Sequence, residues 1–440
     1  MNNRPAAIPA HRTSRLMHLG GLALGLAGGM LAEGARRMAQ GRLPPARELL
    51  LTPDNAARLA DKLSRLRGAA MKVGQLMSME AGELLPPEFT AVLSRLREDA
   101  HFMPLGQLAE VLETHWGEGW ERHFLRFNFT PLAAASIGQV HEAVLKDGRR
   151  LAIKVQYPGV RRSIDSDVDN VAALLRVLPL LPSEATLNEL FVEAKRQLHE
   201  EADYRREAAH IRQFRQLLAG DWDMLLPEVL DELSTSDILV MTFVPGVAVE
   251  SLTESDQALR DRVATRLVEL LLREFLEFGV VQTDPNFANF RYDYETGRIG
   301  LVDFGATRVY PQARMAQVRA LMQAACDGDA RGIEQAAFDA GYLTDSDPIS
   351  RRRAVTELFL LVGEPARKSA PYDFGQTDLT TRLRHSSYAL GFNQGHWRPP
   401  PPDLIFLHRK LAGCFLLCAR LKARVNVAGL MARHLYARLT

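Results

Sequence analysis

Lys154 lies inside the apolar run LAIKV, and it is the first residue whose chemistry needs an explanation. An ammonium in that setting is costly to bury unless a carboxylate or a phosphate meets it. Further along, TDPNFANF sets Asp284 and Asn289 five residues apart, and LVDFG places Asp303 fourteen residues after Asn289. A carboxylate that orients a nucleophile, an amide and a second carboxylate that hold a divalent cation, and a strand lysine that grips phosphates are together the equipment of phosphoryl transfer. Each piece alone is common. Their joint order and spacing are not.

That order (strand lysine, helix glutamate, hinge, D-x-x-x-x-N, Asp-Phe-Gly) is the one used by protein-kinase-type phosphotransferases, and it implies ATP with Mg²⁺ held by Asn289 and Asp303. The chain departs from it at two places. AAASIG, Ala133 to Gly138, stands where a GxGxxG loop belongs. Alanine does not share glycine's freedom at positive φ, so this loop is expected to be stiffer and closer to helical. Its backbone N–H groups at Ala133, Ala134, Ala135 and Ser136 would then reach phosphates in a different way. Gln282-Thr283 replaces the His-Arg that usually precedes the loop aspartate, and no Ala-Pro-Glu follows Asp-Phe-Gly. Ordinary regulation by activation-loop phosphorylation is not expected. His141, His199 and His210 read as satisfied or exposed histidines, because this chemistry needs carboxylate and metal rather than imidazole. His408-Arg409-Lys410 imitates a catalytic loop only in its letters, lacks the downstream asparagine, and reads as structure plus positive charge.

The elements that must position these groups follow from periodicity. Short β-like runs begin near residue 126: HFLRFNF, SIGQVHEAVL and RLAIKVQY, the last two joined by an Asp147-Gly148 turn. Helical patterns run from Val160 to about Leu218. PEVLDEL and DILVMTFV read as two more strands, ending at the Pro245-Gly246 hinge. Beyond it the chain is mainly helical, interrupted by a loop–strand stretch from Val280 to Tyr310. Upstream, Thr52-Pro53 opens a helix that carries MKVGQLMSME, with Lys72 and Gln75 on one face. The expectation is an α+β, helix-rich, bilobal protein-kinase-like fold with a helical extension. Its segments are 1–47 (basic and glycine-rich), 48–125 (helical extension), 126–245 (N-terminal lobe with inserted helices) and 246–440 (helical C-terminal lobe).

With 440 residues, 47% hydrophobic and 24% charged, the chain has an ordinary globular balance, which excludes disordered and collagen-like classes. Three cysteines cannot build a disulfide framework, and Cys414 with Cys418 reads as a pair of buried helix positions rather than a zinc site. A reducing compartment is the simplest inference. The net charge of +1 conceals +6 over residues 1–47 and +6 over 401–440, leaving −11 for the 353 residues between. Basic ends suit an anionic membrane surface or are simply solvated; no nucleic-acid motif accompanies them. Residues 16–32 form an uncharged run with Gly21, Gly25 and Gly29 on one helical face. At the lower limit of length for a span, the run fits a membrane-associated helix, a docked helix or a cleaved signal, and its glycine face permits a homodimer.

The departures themselves carry a resemblance. KVGQ at Lys72–Gln75, AAAS at Ala133–Ser136, AIK ending at Lys154, EAD at Glu201–Asp203, DPNFAN at Asp284–Asn289 and DFGATR at Asp303–Arg308 resemble the UbiB family. These are the aarF-domain atypical kinases linked to coenzyme Q synthesis, and the chain is most similar to their mitochondrial-type branch over residues 15–430. The resemblance implies an atypical kinase or ATPase that uses Mg-ATP in ubiquinone or related lipid biosynthesis. It assigns Asp284, Lys72, Glu201 and Asp203 to the catalytic step, and Lys154 with Glu207 to the nucleotide. Lys72 is expected to meet Glu201 and Asp203 only in part, since carboxylates at i, i+2 of a helix do not share a face. A KVGQ helix over the peptide groove implies a small or lipid-like substrate rather than protein, with quinone-biosynthesis proteins as partners. The implied location is the cytoplasmic face of a bacterial inner membrane, or a mitochondrial inner membrane. The alternative is a nucleotide-gated pseudokinase scaffold for a membrane biosynthetic complex.

Overall fold

Strand RLAIKVQ shows how the sequence builds the first unit. Period-two alternation sends Leu151, Ile153 and Val155 to one face, where all three are fully buried, and sends Lys154 and Gln156 to the other. The computed structural model describes residues 68–69, 72–73, 102–135, 137–176, 184–284, 286–392 and 400–436. The segment 1–47, the run 16–32, Gln75, the Thr52-Pro53 helix start and Ser136 lie outside the described residues. What is described falls into two units: residues up to 209 with 228–243, and 210–227 with 244 onward.

In the first unit, helix α1 (Leu105–Trp116) precedes β1 (Phe124–Phe127), β2 (Ala133–Ala134), β3 (Gly138–Leu145) and β4 (Arg150–Gln156). Helices α2 (Val160–Arg176), α3 (Glu184–Glu201) and α4 (Tyr204–Leu217) follow. The two-residue β5 (Met224–Leu225) belongs to the second unit, and β6 (Ile238–Thr242) closes the first. The sheet is antiparallel in the order β1-β3-β4-β6, with β2 also paired to β3. Leu108 and Leu112 of α1 and the Trp120 and Phe124 rings pack on the Leu151/Ile153/Val155 face to form the core.

Two strand expectations need correction. PEVLDEL makes a single bridge, Val229 to Met241, and otherwise turns, because Asp231 and Glu232 break its apolar run where the chain bends. The alanine stretch is not helix-like. Ala133 and Ala134 are extended, paired with Val140 and Gln139, and Ala135 N–H donates to Gly138 O at 2.8 Å to close a hairpin. Alanine tolerates either conformation at negative φ, and β3 supplies the partners that settle the choice. Gly138 serves the sheet: a Cβ there would lie 2.3 Å from the Val155 carbonyl oxygen.

The second unit opens with β7 (Val247–Ala248) and α5 (Gln257–Arg273), which is capped by the Asp256 carboxylate and runs on as a π-turn, Glu274–Phe278. Then come β8 (Val280–Gln282), β9 (Phe290–Tyr292), β10 (Ile299–Leu301) and β11 (Thr307–Val309). β5, β10, β9 and β7 form one sheet in that order, and β11 pairs with β8. Gly246, at φ +107°, has no room for a Cβ, which would meet Tyr292 O at 2.4 Å; the Arg291 guanidinium donates to its carbonyl. Helices α6 (Gln312–Asp327), α7 (Ala330–Asp339), α8 (Ile349–Gly363) and α9 (Leu379–Phe392) then pack mostly on one another, and α10 (Ile405–Arg420) follows. No described helix is long and apolar enough to cross a membrane.

The histidines and cysteines sit as satisfied, exposed or buried groups, and the basic C-terminal stretch is paired. His141 Nδ1–H donates to Asn128 O at 2.9 Å and its Nε2 accepts from Gln139, so burial holds it neutral with a lowered pKa. His199 is exposed beside Asp165, and His210 is buried. Cys418 is buried and Cys414 half-buried, both free. The basic stretch after 401 is largely committed within its own unit, with Lys410 on Glu274, Arg420 on Glu250, Arg424 on Asp373 and Arg433 on Glu269.

His408 stacks on Tyr342, whose hydroxyl bonds its Nε2, and burial lowers its pKa to about 4. An unfolded histidine near 6.5 binds its proton first, so stability is lost as pH falls from 6.5 toward 4, by roughly 2 kcal/mol after allowing for partial exposure. Replacing His408 by Phe should flatten the fall in melting temperature between pH 7.5 and pH 5. An unchanged acid slope in that variant would remove His408 as the cause.

Candidate functional site

In the first unit the Lys154 ammonium, on the sheet face opposite the apolar core, donates to Glu207 Oε1 at 2.5 Å; both side chains are buried. Gln156, next on the same face, donates to Ala202 O at 2.8 Å and ties β4 to the α3–α4 junction. That junction is where EAD lies. α3 ends at Glu201, and Asp203 is the cap of α4, its Oδ1 accepting from the N–H groups of Arg205 and Arg206. The two carboxylates therefore sit on either side of a helix break rather than on one helix, and they have different partners. Lys72 bonds Glu201 and is itself buried. Asp203 is occupied in capping, which places Glu207 one turn into α4.

The second unit holds the other group of residues. β8 and β9 bracket the segment 283–289. Register then brings the DFG aspartate to that loop: Leu301 pairs with Phe290, and Val302 N–H donates to Asn289 O at 3.1 Å, so Asp303 emerges beside Asn289. The Asn289 amide nitrogen donates to Asp284 Oδ2 at 2.7 Å. Thr283 donates twice to Ala306 O, from its N–H at 3.2 Å and its hydroxyl at 2.6 Å, fastening the loop to the stretch after DFG. Gly305 N–H closes on Asp303 Oδ1 at 3.0 Å. The Phe304 ring is fully buried against Phe214 of α4, with centroids 5.1 Å apart. Phe214 lies in the part of α4 that belongs to the second unit.

Just beyond, the chain is pinned. Arg308 stacks on Phe406 with its guanidinium 3.4 Å from the ring centre, and the Tyr310 hydroxyl donates to Asp403 O at 3.0 Å. α6 begins at Gln312. Only residues 306–311 separate DFG from the next helix.

With its nitrogen turned to Asp284, Asn289 has its amide oxygen for a cation. That oxygen and the Asp303 carboxylate are hard donors of the kind magnesium takes. No group of three or more His, Cys, Asp or Glu among the described residues is arranged to hold a metal unaided. A cation here would complete its shell from phosphate and water, as Mg²⁺ with a bound nucleotide does, and the residues present fit that role. The cluster that sequence reasoning missed lies behind the loop: Glu274, Gln282 and Lys410, all buried. A lysine within the apolar helix IFLHRKLAGCFLL was its one available signal.

An ABC1 atypical kinase-like domain matches residues 95–337. This chain belongs to the ABC1 atypical kinase family. It is 39% identical over 430 residues to the mitochondrial atypical kinase COQ8B of Rattus norvegicus, covering 96% of this chain and 80% of that protein. To the mitochondrial atypical kinase COQ8 of Saccharomyces cerevisiae it is 37% identical, covering 97% and 85%. It is 38% identical to the mitochondrial atypical kinase coq-8 of Caenorhabditis elegans, covering 97% of this chain but only 57% of that protein. Among solved structures it is similar to the Mycobacterium tuberculosis protein Rv3197, crystallised with erythromycin, at a TM-score of 0.60 and 26% identity over 87% of this chain and 95% of that one. The kinase-like α+β fold of this family is therefore the fold of this chain.

Proposed function

We propose that the chain binds Mg-ATP through Lys154, Glu207, Asn289 and Asp303 and passes the terminal phosphoryl group to a small or lipid-like acceptor, or to water. The observation that carries this reading is the Asp284–Asn289 hydrogen bond beside Asp303. It joins Asp284 to Asn289 in one loop, and the Val302 N–H bond to Asn289 O brings Asp303 beside them, which supports a nucleophile-orienting carboxylate next to two hard oxygen donors. Magnesium, when bound, would neutralise charge on the phosphates. Lys154, oriented by Glu207, would grip the phosphates, and Asp284 would accept the proton of the attacking hydroxyl. Backbone N–H groups at Ala133, Ala134 and Ser136 would cover the nucleotide, that of Ala135 being committed to Gly138 O.

A non-protein acceptor is supported by the brevity of the 306–311 segment. Kinases that act on proteins use the stretch between DFG and Ala-Pro-Glu for activation and for peptide docking. Here its place is taken by β11 and the Arg308–Phe406 stack. Lys72, bound to Glu201, belongs to the extension assigned to cover that region. The names of the relatives and the family resemblance together support a role in ubiquinone or related lipid biosynthesis. Attachment to an anionic membrane would fall to the basic segment 1–47, on a bacterial inner membrane or a mitochondrial one.

The test is a strain lacking the gene, profiled for quinones and complemented by wild type or by Asp303→Asn. Wild type should restore the quinone pool and Asp303→Asn should leave it depleted by at least tenfold. Full restoration by Asp303→Asn would favour a scaffold without turnover.

A further inference from the structure

Glu274, Gln282 and Lys410 form a closed triangle inside the second unit. Lys410 Nζ lies 3.0 Å from Glu274 Oε2 and donates to Gln282 Oε1 at 3.1 Å, while Glu274 Oε1 accepts the Gln282 backbone N–H at 3.3 Å. The same ammonium sits 5.2 Å from the centre of the Phe290 ring. Gln282 is the last residue of β8 and Phe290 the first of β9, so one buried cation touches both ends of the loop that carries Asp284 and Asn289. These side chains line a small cavity whose wall also includes Asn289 and Asp303. Burial raises the pKa of the Glu274 carboxyl, against the opposing pull of Lys410 and the Gln282 N–H.

A buried ion pair is an expensive way to fill a core that leucines would fill as well, so its geometry needs another justification than stability. Each end of the loop is attached to a strand only three residues long. Such short strands fix position weakly, and a shift of either end would move Asn289 relative to Asp303. Phosphoryl-transfer sites depend on that kind of placement. Glu274 enters the triangle because α5 widens into a π-turn at that residue, a local irregularity of the sort often found at functional sites.

We propose that Lys410, held by Glu274, is a positioning residue that clamps both ends of the 283–289 loop and thereby sets the spacing of Asn289 and Asp303 for magnesium. The proposal rests on the Mg-ATP reading. Its test is calorimetric titration of ATP into the full chain at graded magnesium, for wild type, Gln282→Met and the double variant Lys410→Met with Glu274→Gln. Gln282→Met removes the Lys410 hydrogen bond to the end of β8 but keeps the ion pair, the Glu274 bond to the residue's backbone N–H and the Phe290 contact, and the double variant removes both charges together. In both variants the magnesium concentration giving half of the Mg-dependent tightening should rise about tenfold, with ATP affinity in EDTA changed less than twofold. A wild-type magnesium midpoint in the double variant overturns the clamp, whatever its melting temperature. A wild-type chain whose ATP binding ignores magnesium sinks both readings together, which separates the two failures.

Discussion

Asp303→Asn should lower magnesium-dependent ATP turnover by about 1000-fold or more, which corresponds to about 4 kcal/mol of lost transition-state stabilisation. Asparagine is isosteric and keeps the Oδ1 that accepts the Gly305 N–H, so the turn after β10 should survive. What disappears is the negative charge. An amide oxygen holds Mg²⁺ far less firmly than a carboxylate, and with Asn289 supplying only a neutral donor the protein would offer the cation no anionic ligand. ATP binding measured in EDTA should change little, because that part of the affinity does not pass through the metal. The check is steady-state phosphate release over a magnesium titration, with the EDTA affinity measured alongside. More than a tenth of wild-type turnover in Asp303→Asn would mean that the metal is held elsewhere, and the assignment of Asn289 would fall with it.

The reach of the sequence can be read from particular residues. Lys154, Asn289 and Asp303 were legible because their signals are local. Alternation in RLAIKVQ fixes which face Lys154 takes, and the D-x-x-x-x-N spacing fits the short loop between β8 and β9. The KVGQ lysine and EAD were recognisable as motifs, but the helix break between Glu201 and Asp203 was not. No proline or glycine marks it, and the cap is a side-chain choice that depends on where α4 is held by Gln156 and Glu207. The alanine hairpin was misread because its conformation is imposed by pairing with β3, which propensity does not encode. The sequence places Lys410 as structure plus positive charge but does not name its partner, because Glu274 is remote in sequence and is one charge among several on its helix. Non-local pairing separates the second group from the first.

That distinction bears on the Lys154–Glu207 pair, which joins residues 53 apart across a sheet and a helix. Glu207→Ala should destabilise the protein by about 3–5 kcal/mol, since it removes the carboxylate from an ammonium that is only 7% exposed. For a unit of this size the melting temperature should drop by roughly 10 °C. Replacing both residues with methionine removes both buried charges and keeps most of the buried volume. β4 stays in place through its backbone pairing to Val140 and Leu239 and through Gln156, so most of the lost stability should return. Nucleotide affinity should not return with it. A lysine that only filled the core would give a double variant with recovered stability and recovered ATP binding, whereas a phosphate-gripping lysine gives recovery of the first alone. Thermal melts and ATP titrations on the two variants and wild type decide between them: full ATP affinity in the double variant would strip Lys154 of its role, and an unshifted melt in Glu207→Ala would show that the ion pair is not what holds α4 against the sheet.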